Sequence, residues 1–195
     1  DAALRALHHP ETPAALGPGA PSRRRLAYDE LLANQLALAL VRANLKRAAG
    51  RTLRGTGAIR EKIVAALPYT LTDGQRHAVD DILRDMAAPE RMLRLLQGDV
   101  GAGKTVVALL ALATAVESGA QGALMAPTEI LARQHLATLS KLAATSGLRI
   151  ALLTGREKGT ARDDVLARAA AGEIDILIGT HALFQEQVSF ARLGL

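Results

Sequence analysis

The chain has 195 residues, 49% of them apolar, which is enough for one sizeable hydrophobic core and excludes a wholly disordered chain. It contains no cysteine and four aromatic residues, which excludes a disulfide framework, a thiolate metal centre and an aromatic platform for stacking single-stranded bases. The net charge of +5 is uneven: residues 1–66 hold 11 Lys/Arg against 5 Asp/Glu, whereas residues 67–195 hold 13 against 14. A cationic first third ahead of a near-neutral remainder suits a polyanionic partner, and equally a solvated basic helix with none.

Residues 1–25 read as a connector. His8-His9-Pro10 and the Pro/Gly/Ala-rich stretch to Pro21 oppose regular structure, and Arg23-Arg24-Arg25 follows as a compact cationic cluster. His8 and His9 lack a spaced third ligand, so no metal site is expected there. Leu26 to Ala49 reads as a helix, with Arg42, Lys46 and Arg47 late in it, where cations suit the helix dipole, and Gly50 as its stop. Arg51 to Arg60 is glycine-punctuated and reads as a loop. Ile59 to Leu67 is a short helix ended by Pro68. The implied organisation is a connector (1–25), a basic helical linker (26–67) and a nucleotide-binding domain (68–195).

From Pro68 the pattern alternates. Thr72-Asp73-Gly74-Gln75 precedes a helix over His77–Met86. Strand-like apolar runs occupy Met92–Leu96, Ala123–Ala126, Ile150–Leu153 and Ile174–Ile178. Helical segments occupy Gly103–Ser118, Glu129–Ala144 and Arg162–Ala171. Short apolar strands alternating with helices predict an α/β fold, with a parallel sheet covered on both faces. The longest uncharged apolar run, Val106–Val116, is too short to span a bilayer, and no secretory leader is visible. A soluble, cytoplasmic setting is expected.

Gly98-Asp99-Val100-Gly101-Ala102-Gly103-Lys104-Thr105 fits G-x-x-x-x-G-K-[ST], the phosphate-binding P-loop, between an apolar run and a helix. Glycines let the backbone wrap phosphate oxygens, successive N–H groups point inward, and the helix N-terminus adds partial positive charge. Lys104 is the expected contact to the β- and γ-phosphates of ATP. Thr105 is the expected Mg²⁺ ligand. A P-loop after the first strand predicts a RecA-like nucleotide-binding core.

Three further segments fall just beyond predicted strands, where ligands bind in such sheets: Ala126-Pro127-Thr128-Glu129, Leu153-Thr154-Gly155 and Gly179-Thr180-His181. Their hydroxyls and backbone N–H groups suit contacts to nucleic-acid phosphates, which position without reading sequence. Thr128 and Thr180 are also good helix caps, and either role fits each residue taken singly.

Leu95–Thr105, Ala126–Ala132 and Gly179–Leu183 together resemble the helicase motifs of the RecG family, bacterial branched-DNA translocases of helicase superfamily 2. Leu26-Ala27-Tyr28-Asp29-Glu30-Leu31-Leu32 resembles the helix leading into that motor. The resemblance runs from about residue 4 to residue 195. It implies that Thr72 and Gln75 belong to the glutamine motif that recognises adenine; otherwise Gln75 is a surface helix residue. It implies that Pro127, Thr128, Glu129, Thr154, Gly155, Thr180 and His181 lie along the DNA track, with Arg133 and Gln134, one helical turn on, as weaker candidates. His181 is alternatively a helix-start residue, and the Arg156/Lys158 loop either touches phosphate or is simply solvated. The implied ligands are ATP, Mg²⁺ and duplex or branched DNA. The implied parent protein is a monomeric helicase of the bacterial nucleoid that remodels stalled forks and recombination junctions.

In the resembled family the Mg²⁺ carboxylate and the water-orienting group come from an acidic Asp-Glu box on a further strand. No acidic residue here has that context: Asp175 precedes a strand core, and Asp99 lies inside the loop. The chain is therefore expected to be an internal, truncated piece that binds nucleotide without turning it over. Competing readings are a non-catalytic nucleotide- or nucleic-acid-binding module, the motor of a transcription-repair coupling factor, and a P-loop kinase or small-molecule ATPase. The last would need a substrate lid that the sequence does not show.

Overall fold

The computed structural model describes residues 2–47 and 49–195, and their side chains except those of residues 42 and 44–47. The cationic group Arg42, Lys46 and Arg47 thus lies outside the described side chains. The chain forms two compact units, residues 1–48 and 49–195.

The first unit is more regular than its composition predicts. Helix α1 spans Ala2–His8, a 3-10 turn spans Pro13–Leu16, and α2 runs from Pro21 to Arg47. The irregular structure expected over 1–25 is thereby corrected. Pro21 opens α2 rather than ending a coil, because a proline in the first helical turn has no N–H to leave unsatisfied and its φ is already helical. The Arg23–Arg25 cluster lies within this helix, where Arg25 pairs with Asp29 one turn on at 2.9 Å and Arg23 donates to the Leu16 carbonyl at 3.1 Å.

The second unit contains α3 (Ala58–Ala66), α4 (Asp73–Met86), α5 (Lys104–Glu117), β1 (Gly122–Met125), α6 (Glu129–Leu142), β2 (Ile150–Leu153), α7 (Thr160–Ala170), β3 (Ile176–Gly179) and a 3-10 turn at His181–Phe184. The strands form a parallel sheet in the order β1-β3-β2, with Met125 opposite Gly179 and Leu153 opposite Gly179. Alternate residues face opposite ways. Ile176, Ile178, Leu124, Ile150 and Leu152 join the core under α3 to α6. Leu177, Leu153, Ala123 and Ala151 join a second cluster with Val165, Leu166 and Ala169 of α7. Both faces are covered, as expected for a parallel sheet. The crossover through α6 carries the chain from β1 past β3 to β2, and the crossover through α7 carries it back. Connections of one hand running in opposite lateral directions must use opposite faces, and α6 and α7 do. Helix α5 is apolar around most of its circumference because it sits inside the core: Val106, Val107, Leu109, Leu110 and Leu112 are all buried.

Two expectations are corrected in this unit. Met92–Leu96 is not a strand. One edge of β1 is taken by β3, and the start of the other is met by Arg192–Leu195, which run parallel to it through Gln121 N–H to Arg192 O (2.7 Å) and Ala123 N–H to Leu195 O (2.8 Å). The Met92–Leu96 segment is held by side chains instead. Met92 and Leu96 pack on the core while Leu93 and Leu95 are exposed, and Arg94 pairs with Asp85 (2.6 Å) and Asp81 (3.2 Å) of α4. An apolar run can thus bury one side without a ladder.

The linker expected over 26–67 is also divided rather than continuous, because residues 49–67 pack with the core. Ile63 of α3 is fully buried. The Glu117 carboxylate, at the end of α5, accepts from the backbone N–H groups of Gly57 (2.7 Å), Ile59 and Arg60 (3.3 Å). A carboxylate on the free N–H groups at the start of α3 complements that helix's dipole. Buried Gln121 ties the end of the sheet where the strands start: its side-chain amide donates to Ala169 O (2.9 Å) and Ile174 O (2.8 Å) and accepts from Arg192 N–H (2.9 Å).

Candidate nucleotide and nucleic-acid site

Gly98 to Gly103 forms an exposed loop closed by a turn from Ala102 N–H to Asp99 O (3.2 Å), and α5 starts immediately at Lys104. Gly101 (φ +84°) and Gly103 (φ +77°) adopt the left-handed conformation that other residues avoid. A Cβ at Gly103 would overlap Gln75 Nε2, whereas one at Gly101 would meet nothing within 4 Å. The loop is therefore open at Gly101 and tight at Gly103. Lys104 Nζ donates to Gly98 O and Asp99 O, each at 2.7 Å, so its ammonium lies within the curl of the loop. Thr105 is half-buried on the first turn of α5; Asp99 and Val100 are exposed.

Thr72 and Gln75 close the other side. They form a reciprocal capping box at the start of α4, with Gln75 N–H to Thr72 Oγ1 at 3.2 Å and Thr72 N–H to Gln75 Oε1 at 2.9 Å. Gln75 Nε2 then donates to Ala102 O at 2.9 Å. Gln75 is thus neither a bare surface residue nor free: it bolts α4 to the loop. Thr72, Gln75, Ala78, Leu96, Ala102 and Lys104 line one cleft of about 250 Å³ beside the loop.

The three segments beyond the strands share one edge of the sheet, because β1, β3 and β2 are parallel and end in register. Pro127 and Thr128 are exposed, and Thr128 caps α6 by accepting from Leu131 N–H at 3.3 Å. Thr180, half-buried, makes no capping bond with its side chain, and His181 is exposed at the start of the 3-10 turn. Gly155 is exposed, but Thr154 is fully buried. Gly179 is needed for closeness: a Cβ there would overlap Leu153 O on β2 and lie 2.9 Å from Leu183.

A charged network spans this edge. Arg133 pairs with Glu129 and Glu157, both at 3.0 Å, and Arg156 pairs with Glu129 at 3.3 Å. Glu157 Oε2 accepts from both the backbone N–H and the hydroxyl of Thr154, each at 2.6 Å. Partial burial pushes the Glu157 carboxyl pKa up. The bonds from Thr154, together with the Arg133 charge, outweigh burial and hold it below the usual carboxylate range. The hydrogen bond to Glu129, helped by the Glu157 charge, raises the Arg133 pKa further. Glu157 was not among the residues singled out by sequence. The Thr154-x-x-Glu157 spacing is the available signal, since it repeats the Thr-x-x-Glu form of a capping box. Among the described residues no group of three or more His, Asp or Glu side chains is placed to hold a metal. Asp175 sits at the start of the sheet, bound by Arg149 at 2.6 Å.

The DEAD/DEAH box helicase family model matches residues 72–194, a span that begins at the Thr72 cap and holds every residue of this site. The chain belongs to the DEAD/DEAH box helicases. Within that family it is similar to the ATP-dependent DNA helicase RecG of Bacillus subtilis (strain 168), at 47% identity over 99% of the chain and 28% of the relative. It is 43% identical to the RecG helicase of Escherichia coli (strain K12), with the same coverage. A solved structure of RecG bound to a three-way DNA junction superposes with a TM-score of 0.81 at 41% identity, covering 88% of this chain and 24% of that one. The chain spans about 28% of the length of the curated relatives it matches. The helicase fold explains why the glycine-rich loop and the strand ends occur in one unit: the parallel sheet brings successive strand termini to a common edge.

Proposed function

We infer that this chain is the ATP-binding part of an ATP-dependent DNA helicase that acts on branched DNA. The observation that carries the reading is the Gly98–Thr105 loop, with left-handed Gly101 and Gly103, the Lys104 ammonium inside its curl and Gln75 locked against it. This donor set fits a nucleoside triphosphate: backbone N–H groups and the start of α5 for phosphate oxygens, Lys104 for the β- and γ-phosphates, and the adjoining cleft for the rest of the nucleotide. ATP supplies the phosphoryl group whose hydrolysis drives motion. Thr72 and Gln75 shape the cleft on the nucleotide side. The Thr105 hydroxyl is the Mg²⁺ ligand this chain offers. Mg²⁺ is usually held by one or two carboxylates with phosphates and water, and among the described residues no group of three or more His, Asp or Glu is placed to hold a metal.

DNA runs across the sheet edge formed by Pro127, Thr128, Glu129, Arg133, Thr154, Gly155, Thr180 and His181. The common register of the three strand ends and the likeness to RecG on a DNA junction support this track. Its contacts are to the backbone, through hydroxyls, N–H groups and Arg133. Residues 49–195 act as the motor core, with residues 1–48 as its helical lead-in. The whole protein works as a monomer at the bacterial nucleoid. The relatives named above are RecG proteins, which favours this reading over a stand-alone binding module or a transcription-repair motor.

The test is ATP hydrolysis with and without three-way junction DNA, by the protein that contains this chain and by its Lys104→Ala variant. Junction-stimulated turnover that falls at least 100-fold in the variant, on the order expected for a lost phosphoryl-facing charge, supports the reading. Near-normal turnover in Lys104→Ala overturns it.

A further inference from the structure

Thr154 is anomalous for a residue on a nucleic-acid track. It stands at the ligand edge of the sheet, one residue beyond β2, yet it is fully buried. Both of its donors, the backbone N–H and the hydroxyl, go to one carboxylate oxygen, Glu157 Oε2, at 2.6 Å each. The other carboxylate oxygen, Oε1, accepts from Arg133 Nη2 at 3.0 Å. Arg156 N–H, in turn, donates to the Thr154 hydroxyl oxygen at 3.3 Å and fixes the direction of its proton toward Glu157.

Without the carboxylate, these groups form an oxyanion pocket: a main-chain N–H, a hydroxyl and a guanidinium converging on two adjacent oxygens. That donor set is the one that binds a phosphodiester, in which two non-bridging oxygens share a negative charge much as they do in a carboxylate. Glu157 lies on the exposed, glycine-flanked turn between Gly155 and Gly159, and its side chain is 19% exposed, so it occupies the pocket from the solvent side. Its depressed pKa is consistent with a pocket that favours an anion.

We propose that Glu157 is an internal stand-in for a nucleic-acid phosphate: its carboxylate fills the anion pocket of Thr154 and Arg133, and a DNA backbone phosphate must displace it to engage them. This rests on the reading of the strand ends as a DNA track, and adds to it a competitor carried by the chain itself. The carboxylate keeps the donors satisfied in the absence of DNA. It also lowers affinity for any single phosphate, because bringing two anions to one site is repulsive unless one leaves.

The experiment measures binding of fluorescein-labelled three-way junction DNA to the full chain by anisotropy at fixed salt, for wild type, Glu157→Gln and Glu157→Ala. Both variants are expected to bind more tightly, Glu157→Ala by roughly tenfold and Glu157→Gln by less, because glutamine still offers an acceptor but no charge. Adding Arg133→Ala to Glu157→Ala should erase most of the gain. Circular dichroism spectra matching wild type confirm that the variants fold, and Glu157→Gln, which keeps the size of the side chain and one acceptor oxygen, serves if Glu157→Ala does not. Unchanged or weaker binding by a folded Glu157→Gln overturns the proposal and shows Glu157 to be a scaffold for its turn.

A second readout separates this from failure of the DNA reading. Inorganic phosphate is titrated while the Thr154 amide resonance is followed. If wild type binds no DNA but phosphate shifts that resonance at lower concentration in Glu157→Gln than in wild type, the pocket stands and the DNA track fails. If DNA binds and the Thr154 amide is unmoved by phosphate in both proteins, the track stands and the pocket is refuted.

Discussion

Replacing Gly103 with alanine perturbs the joint between the P-loop and α4 at a single atom. Gly103 has φ +77°, and a Cβ there would overlap Gln75 Nε2. A left-handed alanine costs about 1–2 kcal/mol by itself. Displacing Gln75 also breaks its 2.9 Å bond to Ala102 O, worth about 0.5–1.5 kcal/mol. It further loosens the capping box with Thr72, whose loss costs about 0.5–2 kcal/mol. Because the neighbours relax partly, the expected total is about 2–4 kcal/mol of destabilisation. Urea unfolding followed by circular dichroism measures it. The Gln75→Ala variant, which removes the bond and the box without strain, should cost about 1–3 kcal/mol. The two effects must not add, since Gly103→Ala already displaces the Gln75 side chain. The double variant should fall short of the sum by about 1 kcal/mol. Additivity, or a Gly103→Ala protein as stable as wild type, would refute the argument that one side chain locks the loop to the helix.

Gly179→Ala forces a Cβ onto Leu153 O where β3 and β2 end side by side and should cost about 3 kcal/mol or more, read as a lowered urea midpoint; a shift under ~0.5 kcal/mol contradicts the close β2–β3 approach. Glu117→Gln keeps an acceptor but removes the charge at the start of α3. A loss of about 1 kcal/mol is expected, with faster amide exchange at Gly57, Ile59 and Arg60, and unchanged exchange there would refute the clamp. The Glu157 carboxyl titrates below its unfolded value, so its stabilisation is fully present above pH ~4.5 and is lost as pH falls through the folded pKa. Acid unfolding of Glu157→Gln should accordingly be less steep than that of wild type below about pH 5, whereas identical pH profiles would show that the carboxylate gains nothing from Thr154 and Arg133.

The parts of the fold that depend on local pattern were legible in the sequence. The apolar runs at 123–126, 150–153 and 174–178 are strands within two residues, because a strand buried on both faces is apolar throughout and is bounded by turn residues. The loop was legible because its chemistry needs glycines and a lysine at set spacing. Met92–Leu96 misled because apolar composition reports burial, not hydrogen bonding, and whether a ladder forms depends on which strand edges lie nearby. Pro21 misled because a proline that breaks a helix from within also starts one well. The role of Glu117 depends on contacts about 60 residues apart in sequence, and that of Glu157 on Arg133, 24 residues away. Neither separation leaves a periodic trace. Gln75 was placed near the nucleotide by motif position, but its bond to the Ala102 carbonyl is a tertiary fact.

Isothermal titration of ATP with Mg²⁺ into the full chain, and into Lys104→Ala and Lys158→Ala, tests the central claim most directly. Saturable one-to-one binding by wild type and Lys158→Ala, weakened about tenfold or more in Lys104→Ala, is predicted from the loss of a charge-assisted phosphate contact. Equal affinity in all three proteins, or no saturable binding by wild type, would contradict the assignment of Gly98–Thr105 as the nucleotide cradle.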